Sequence, residues 1–308
     1  MKNILITGAA GFIASSLVDR LLADPDNRVV GIDNFLTGTP ENLPQQNDNW
    51  RFIKCDVNEL RDILPVMSAH HFDYVFHYAA VVGVERTLEY PVKVLNDIQG
   101  IKNILDLSKN TGVKRVFFSS SSEVYGEPVE MPQNEFTTPL NSRLPYAVVK
   151  NVGEAFCRSY SQEYGLDFTI FRFFNTYGPR QSTDFVISRF LRAALRDEDI
   201  VIYGDGEQTR TFLYIDDNVE ASMNAFTKDL FVNDVVNIGS DDEVSIQALA
   251  ELVINITNSK SKIVYANPLP EGDMRRRKPD VTKMNYILPR APLPLEDGIR
   301  KLIESGKF

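Results

Sequence analysis

The chain has 308 residues, 43% of them hydrophobic, with 33 Lys and Arg against 42 Asp and Glu and a formal net charge of -9. That length supports a large core and one or two domains, and the acidic balance leaves no basic excess to neutralise a nucleic-acid backbone. No stretch approaches the roughly 18 apolar residues of a membrane helix and no charged leader precedes one, so a soluble, cytoplasmic protein with no membrane partner is expected.

The first apolar run, Ile4-Leu5-Ile6, predicts a strand over 3–7, and the spacing of Leu17, Leu21 and Leu22 predicts a helix over 12–23. Between them lies Gly8-Ala9-Ala10-Gly11-Phe12-Ile13-Ala14. Strand, glycine turn and helix N-terminus together form a cradle for a pyrophosphate. Gly8 can take backbone angles other residues avoid. Gly11 lets the backbone approach the phosphates, whose charge the helix dipole and its free N–H groups stabilise. Ala14 stands where such cradles carry a third glycine, and it is small enough for helix to pack on strand. The next strand, 28–33, ends in Asp33, roughly 20 residues beyond the glycines. That carboxylate would accept both ribose hydroxyls and repel a 2′-phosphate, which favours NAD over NADP.

Further strand-like runs follow at 51–55, 73–77, 114–119 and 167–173, alternating with helical patterns at 58–68, 91–111 and 146–164. This alternation implies right-handed crossovers and an α/β fold, a doubly wound parallel sheet. From about residue 174 the elements shorten and the proline density rises. The expected organisation is an NAD-binding domain over 1–173 and a smaller, mainly substrate-binding subdomain over 174–308, with segments returning to the main sheet. Cys55 and Cys157, far apart in sequence, read as buried reduced thiols. No metal site is expected.

Two constellations carry chemistry. Tyr146 and Lys150 stand four apart, on one face of the helix predicted over 146–164. To act as a base near pH 7, a phenol of pKa near 10 must be depressed by roughly 3, about 4 kcal/mol. A nearby ammonium and the positive nicotinamide ring are the expected source. The segment Ser119-Ser120-Ser121-Ser122-Glu123-Val124-Tyr125-Gly126 directly follows the run Val116-Phe117-Phe118, at the strand end where such sheets bind ligands. A serine there can hydrogen-bond a substrate hydroxyl, and a carboxylate can move a proton.

These residues resemble the extended short-chain dehydrogenase/reductase family, the NAD-dependent epimerases and dehydratases of nucleotide sugars. The likeness spans nearly the whole chain. Besides the glycine turn, Asp33-Asn34, the Ser121 segment and the Tyr146/Lys150 pair, it is carried by Cys55-Asp56-Val57 and His77-Tyr78-Ala79-Ala80. Further matches are Arg172-Phe173-Phe174-Asn175-Thr176-Tyr177-Gly178-Pro179-Arg180, Gly204-Asp205-Gly206-Glu207-Gln208-Thr209-Arg210 and Tyr214-Ile215-Asp216-Asp217. The resemblance implies a Rossmann-type NAD site built from Gly8, Gly11, Phe12, Ile13, Asp33 and Asn34, with Asp56 and Val57 flanking adenine and Ala79 and Ala80 lining the channel. It implies that Tyr146 takes the C4 hydroxyl proton as the hydride passes to NAD. Ser121 and Lys150 assist, and Lys150 also holds the nicotinamide ribose. Asn175, Arg210 and Arg275 are then expected on the diphosphate of a UDP-, GDP- or dTDP-sugar, with Arg86 and Arg180 also on the substrate side.

A 4-keto sugar can follow three routes. Its ketone acidifies C5–H, so a base there permits loss of a C6 hydroxyl. A C6 carboxylate makes it a β-keto acid that loses carbon dioxide, and rotation before reduction inverts C4. Glu123 resembles the Glu of family dehydratases and uronate decarboxylases, where many 4-epimerases carry a small residue or Thr. Ser122 precedes it, as in GDP-mannose dehydratases, although Ser is a poor acid for a departing C6 oxygen. Asn175–Arg180 and Arg277-Lys278-Pro279-Asp280 look like UDP-glucuronate decarboxylases, whereas Arg86 and the segment after His77 look more like dehydratases and epimerases. The expectation is a 4,6-dehydratase, with UDP-glucuronate decarboxylase second and 4-epimerase or net C4 dehydrogenase behind. A dinucleotide-binding sensor is disfavoured because Tyr146 and Lys150 are both present. The stretches 91–111 and 146–164, with Val148, Val149, Val152, Ala155 and Phe156, resemble the helix pair of a four-helix dimer interface, so a homodimer is expected.

Overall fold

The computed structural model describes residues 1–268 and 274–308, with the side chains of all of these apart from 84, 85 and 88. The chain begins β1 (Lys2–Thr7), α1 (Phe12–Leu22), β2 (Asn27–Asp33), β3 (Trp50–Lys54), α2 (Leu60–Ala69), β4 (Tyr74–His77) and α3 (Val84–Glu89). It continues with α4 (Pro91–Leu95), α5 (Asp97–Thr111), β5 (Arg115–Ser121), α6 (Pro145–Tyr164), β6 (Asp167–Phe173) and β7 (Thr176–Tyr177). Then come α7 (Val186–Ala194), β8 (Ile200–Tyr203), β9 (Thr209–Thr211), β10 (Leu213–Tyr214), α8 (Ile215–Thr227) and β11 (Asp234–Ile238). The last elements are β12 (Glu243–Ser245), α9 (Ile246–Thr257), β13 (Ile263–Ala266), α10 (Thr282–Ile287) and α11 (Leu295–Ser305).

Seven strands form one sheet in the order β11-β6-β5-β4-β1-β2-β3. β1 pairs in parallel with β2 and with β4, Ile4 standing opposite both Val29 and Tyr74. The β2–β3 and β4–β5 pairs are parallel as well. Because helices cover both faces of such a sheet, its strands read as continuous apolar runs rather than alternating ones. β5 is buried at all seven positions. Leu5, Ile32, Val75, Val116, Phe118 and Ile170 form the centre of one core cluster, and the Phe76 and Phe117 rings stack 4.4 Å apart between β4 and β5. Burying each such side chain contributes about 1.5–3 kcal/mol. The strand order reverses at β1, and the crevice beyond the carboxyl ends of β1 and β4 is where doubly wound sheets bind ligands.

The helix expected over 91–111 is divided. Tyr90, preceding a proline, sits outside the helical region (φ -124°, ψ 57°), and Pro91 opens a new helix as its first residue. Asn96 separates α4 from α5. α3 lies just upstream, outside the helices expected from periodicity.

The chain forms two compact units. The first comprises residues 1–124, 142–172 and 222–236; the second comprises 125–141, 173–221 and 237–308. The second unit contains three two-stranded pairs, β7–β10 and β8–β13 parallel and β9–β12 antiparallel. Among the described residues no helix is long and apolar enough to cross a membrane.

Candidate active site

The turn after β1 takes the shape its glycines allow. Gly8 has φ +71°, and a Cβ there would stand 2.9 Å from the backbone of Ala79. Gly11 N–H closes the turn onto Gly8 O at 2.9 Å. Gly11 is also the N-cap of α1 and offers that helix no side-chain hydrogen bond, so the first N–H groups of α1, at Phe12 and Ile13, remain available to an anion. Thr7 ties the ends of β1 and β4 together. Its hydroxyl accepts from Tyr78 N at 3.1 Å and Ala79 N at 3.0 Å, and lies 2.8 Å from His77 Nδ1. With both lone pairs engaged, Thr7 donates to Nδ1 and leaves the His77 proton on Nε2. Burial, with the Lys150 charge second, holds His77 down at about 3, so it stays neutral.

Asp33 ends β2 with its carboxylate fixed on both sides. Ala10 N donates to Oδ2 at 3.0 Å and Phe35 N to Oδ1 at 2.7 Å. Burial pushes its pKa above the usual carboxylate range, and the backbone N–H groups act against that rise. Beside it, Asn34 Nδ2 donates to Asp56 Oδ2 at 2.9 Å, and Val57 O accepts from Asn103 Nδ2 at 2.8 Å. The glycine turn, Asp33, Asn34, Asp56, Val57, Ala79 and Ala80 thus follow the carboxyl ends of β1 to β4. This donor and acceptor set fits a dinucleotide: uncapped N–H groups for the diphosphate, and an anchored carboxylate for ribose hydroxyls.

The other cluster joins β5 to α6. Lys150, 3% exposed, donates to Ser119 O at 2.6 Å and lies 3.3 Å from Ser119 Oγ. Its Nζ is 5.7 Å from the Tyr146 ring centre. Ser121 ends β5, and its hydroxyl accepts from Glu123 N at 3.1 Å. Ser122 to Tyr125 form a single 3-10 turn, with Ser122 buried and Glu123 half-buried. Burial lowers Lys150 to about 8, and the Asp97 carboxylate opposes that fall.

Depression of the half-buried Tyr146 phenol is expected from Lys150 together with a nicotinamide ring, and the chain alone does not supply it. The phenol is raised rather than depressed: desolvation contributes most, the Glu123 and Asp97 charges add to it, and the Ser121 hydrogen bond acts against it. The Lys150 ammonium is engaged on Ser119, so depression of the phenol is not a property of the chain alone. Asp97, which no sequence motif marks, accepts from Val81 N at 2.7 Å and Asn58 Nδ2 at 3.3 Å. An acidic residue on the buried face of a helix was the signal for it.

The residues expected on the substrate side are divided between the units. Arg86 lies in the first, on α3, its Nη1 donating to Val82 O at 2.9 Å. Asn175, Arg180, Arg210 and Arg275 lie in the second. Asn175 Nδ2 donates to Thr211 O at 3.1 Å, and the buried Arg210 donates to Thr209 O at 2.7 Å. Arg180 has φ +76° and its N–H reaches Lys307 O at 3.1 Å. Thr209 N donates to Arg275 O at 3.0 Å, so the Arg275–Lys278 run passes alongside β9. Within that run Arg276 forks onto Glu243 at 3.0 and 2.7 Å, and Lys278 lies 3.8 Å from the same carboxylate. Arg277 is buried against Met274 Sδ at 3.1 Å. Arg275 and Arg276 are both exposed, Arg275 standing 3.8 Å from Asp205. Among the described residues no group of three or more His, Cys, Asp or Glu side chains could hold a metal ion.

The chain is similar to known proteins over nearly its whole length. Residues 4–239 match the pattern of the NAD dependent epimerase/dehydratase family. A UDP-N-acetyl-alpha-D-glucosaminuronate decarboxylase of Bacillus cytotoxicus is 37% identical, covering 98% of this chain and 97% of that protein. UDP-glucuronic acid decarboxylase 1 of Danio rerio is 34% identical over 98% of this chain and 72% of its own. The crystal structure of UDP-glucose 4-epimerase from Thermotoga maritima, with UDP-glucose, superposes with a TM-score of 0.92 at 35% identity, covering 98% and 97% of the two chains. With the dinucleotide cradle and the Tyr146–Lys150 cluster in one sheet-edge framework, the chain belongs to the NAD-dependent epimerase/dehydratase family and is a nucleotide-sugar enzyme of that family.

Proposed function

We propose that the protein is a UDP-uronate decarboxylase acting through a 4-keto sugar. The 4,6-dehydratase expected from the sequence gives way to this reading, because uronate decarboxylases match 98% of this chain at 34–37% identity. The observation that carries it is the placement of Glu123, half-buried on the turn that follows β5, its N–H donating to Ser121 Oγ at 3.1 Å and its carboxylate beside the Tyr146 phenol. The reaction needs such an acid beside the C4 base.

In this reading Tyr146 takes the proton of the C4 hydroxyl, and Ser121 hydrogen-bonds the same oxygen. Bound NAD supplies the hydride acceptor for C4. Lys150 holds positive charge beside the phenol and binds ribose. The resulting β-keto acid loses its C6 carboxylate as carbon dioxide, the protonated carboxyl of Glu123 gives C5 the proton that replaces it, and C4 then regains the hydride together with the proton held by Tyr146, so that the net change is loss of CO2. Asn175, Arg210 and Arg275 take the diphosphate, Arg210 and Arg275 providing charge that suits a doubly anionic group. Arg86 and Arg180 are assigned to the substrate side, and Ser122 supports the turn that bears Glu123. A second reading, 4-epimerisation, is favoured by the likeness to the T. maritima enzyme; it shares the first step and differs in leaving the carbon skeleton intact.

The test is mass spectrometry after incubation with UDP-glucuronate, UDP-N-acetylglucosaminuronate and UDP-glucose. Loss of the mass of CO2 from a uronate is the expected result; loss of water would restore the dehydratase, and altered stereochemistry at constant mass would establish the epimerase. Tyr146→Phe should lower turnover by roughly 10²–10⁴-fold, as removal of a general base does. Glu123→Gln should still oxidise C4 but form no decarboxylated product. Unchanged product formation by Glu123→Gln would reject its role.

A further inference from the structure

Three residues of α6, spaced by four, each meet one of the three serines that end β5. Lys150 donates to Ser119 O at 2.6 Å, Glu154 accepts from Ser120 Oγ at 2.7 Å, and Ser121 stands beside the Tyr146 phenol, where its hydroxyl favours the phenolate. Spacing by four keeps all three on one helical face. The third contact belongs to no step of the proposed chemistry, yet it is the most heavily built. Glu154 and Arg172 are each 1% exposed. Arg172, on β6, forks onto the carboxylate, Nε to Oε1 at 2.8 Å and Nη2 to Oε2 at 2.7 Å. Arg158 adds a contact to Oε2 at 3.2 Å.

Stability alone does not account for such a pair. Desolvating two charges offsets much of their attraction, and apolar residues of similar size often serve a core as well. Direction is what the charges add. At this point α6 lies hard against β5: a Cβ on Gly153 would stand 2.3 Å from the Phe118 ring. Apolar contact of that kind tolerates small slides along the helix axis, whereas a bidentate fork and a 2.7 Å hydrogen bond do not. The charge of Glu154 is neutralised by Arg172, so its action on the site is through position.

We propose that Glu154, held by Arg172, is a positioning residue. Through Ser120 it sets the register of α6 on the end of β5, and with it the spacing of Lys150 from Ser119 and of Tyr146 from Ser121. The inference rests on the assignment of Tyr146 as the C4 base.

Ser120→Ala tests it, because it cuts the link on the strand side and leaves the Glu154–Arg172 pair intact. The kcat for a UDP-uronate is expected to fall by about 10- to 10²-fold with KM unchanged, the scale of a small misplacement of reacting groups. The Lys150 ammonium, loosened from Ser119 O, is expected to titrate at lower pH. That is followed by the 13Cε shift of labelled lysine in the NAD-loaded protein, with Lys150→Met identifying the signal. Ser120→Thr keeps the hydroxyl and should restore both quantities. A Ser120→Ala protein that melts lower but keeps wild-type kcat and Lys150 titration would overturn the proposal, leaving the pair a purely structural one. If Ser120→Ala does not fold, Ser120→Cys, which keeps the size and weakens the donor, is read by the same criteria. Should the wild-type protein turn over no UDP-sugar, the functional reading fails, and the Lys150 titration alone decides the register.

Discussion

Lys150 is a cation enclosed by protein, and burial and one neighbour set its charge. Burial favours the neutral amine and brings the pKa to about 8, while the Asp97 carboxylate favours the ammonium. Asp97 is itself held in place by Val81 N and Asn58. A working ammonium is lost as pH rises through the Lys150 value, so this group sets the alkaline limb of the rate profile. Asp97→Asn removes the opposing charge at nearly constant shape. The value should fall further, and the decline of kcat/KM should begin at lower pH than in the wild type. A pH profile with its alkaline limb unmoved would show that Asp97 only anchors the backbone at Val81.

At the scale of elements, the junction of β1, its glycine turn and α1 carries the cofactor half of the site. Gly8→Ala forces a side chain into positive φ and onto the Ala79 backbone. A cost of about 1–3 kcal/mol is expected from the backbone alone, with a further loss of the melting shift that NAD produces. Thermal melts with and without NAD check both, and a variant that melts and responds like the wild type would show that the turn tolerates a Cβ. This junction was legible in the sequence because its signals are local: an apolar run, two glycines and a helical period lie within about twenty residues. The helix α3 and the break at Asn96 were not. Pro91 ends one helix and starts another, and periodicity runs straight through such a break when the dihedrals stay helical on both sides, as at Asn96 (φ -63°, ψ -23°).

For the molecule as a whole, two measurements follow. Ligand binding to the folded state adds about 2.7 kcal/mol at 100 times Kd, so saturating NAD should raise the melting temperature. NADP at equal concentration should raise it far less, since the Asp33 carboxylate would face its 2′-phosphate. Association through α5 and α6 predicts a homodimer, with light scattering at micromolar concentration giving twice 34.9 kDa; a monomeric mass would reject it. What the sequence by itself determined is what nearest neighbours and short periods encode: the alternation of strands and helices, the dinucleotide cradle, Asp33 at its strand end, and Tyr146 one helical turn from Lys150. Only tertiary structure decided the electrostatics. It gave Asp97 its place near Lys150, clamped Glu154 between Ser120 and Arg172, and engaged Arg276 and Lys278 on Glu243 while burying Arg277, so that Arg275 is the member of its run turned to Asp205 instead. The physical reason is that charge pairing and burial depend on groups brought together from distant parts of the chain, and no local pattern specifies which partner each charge will find.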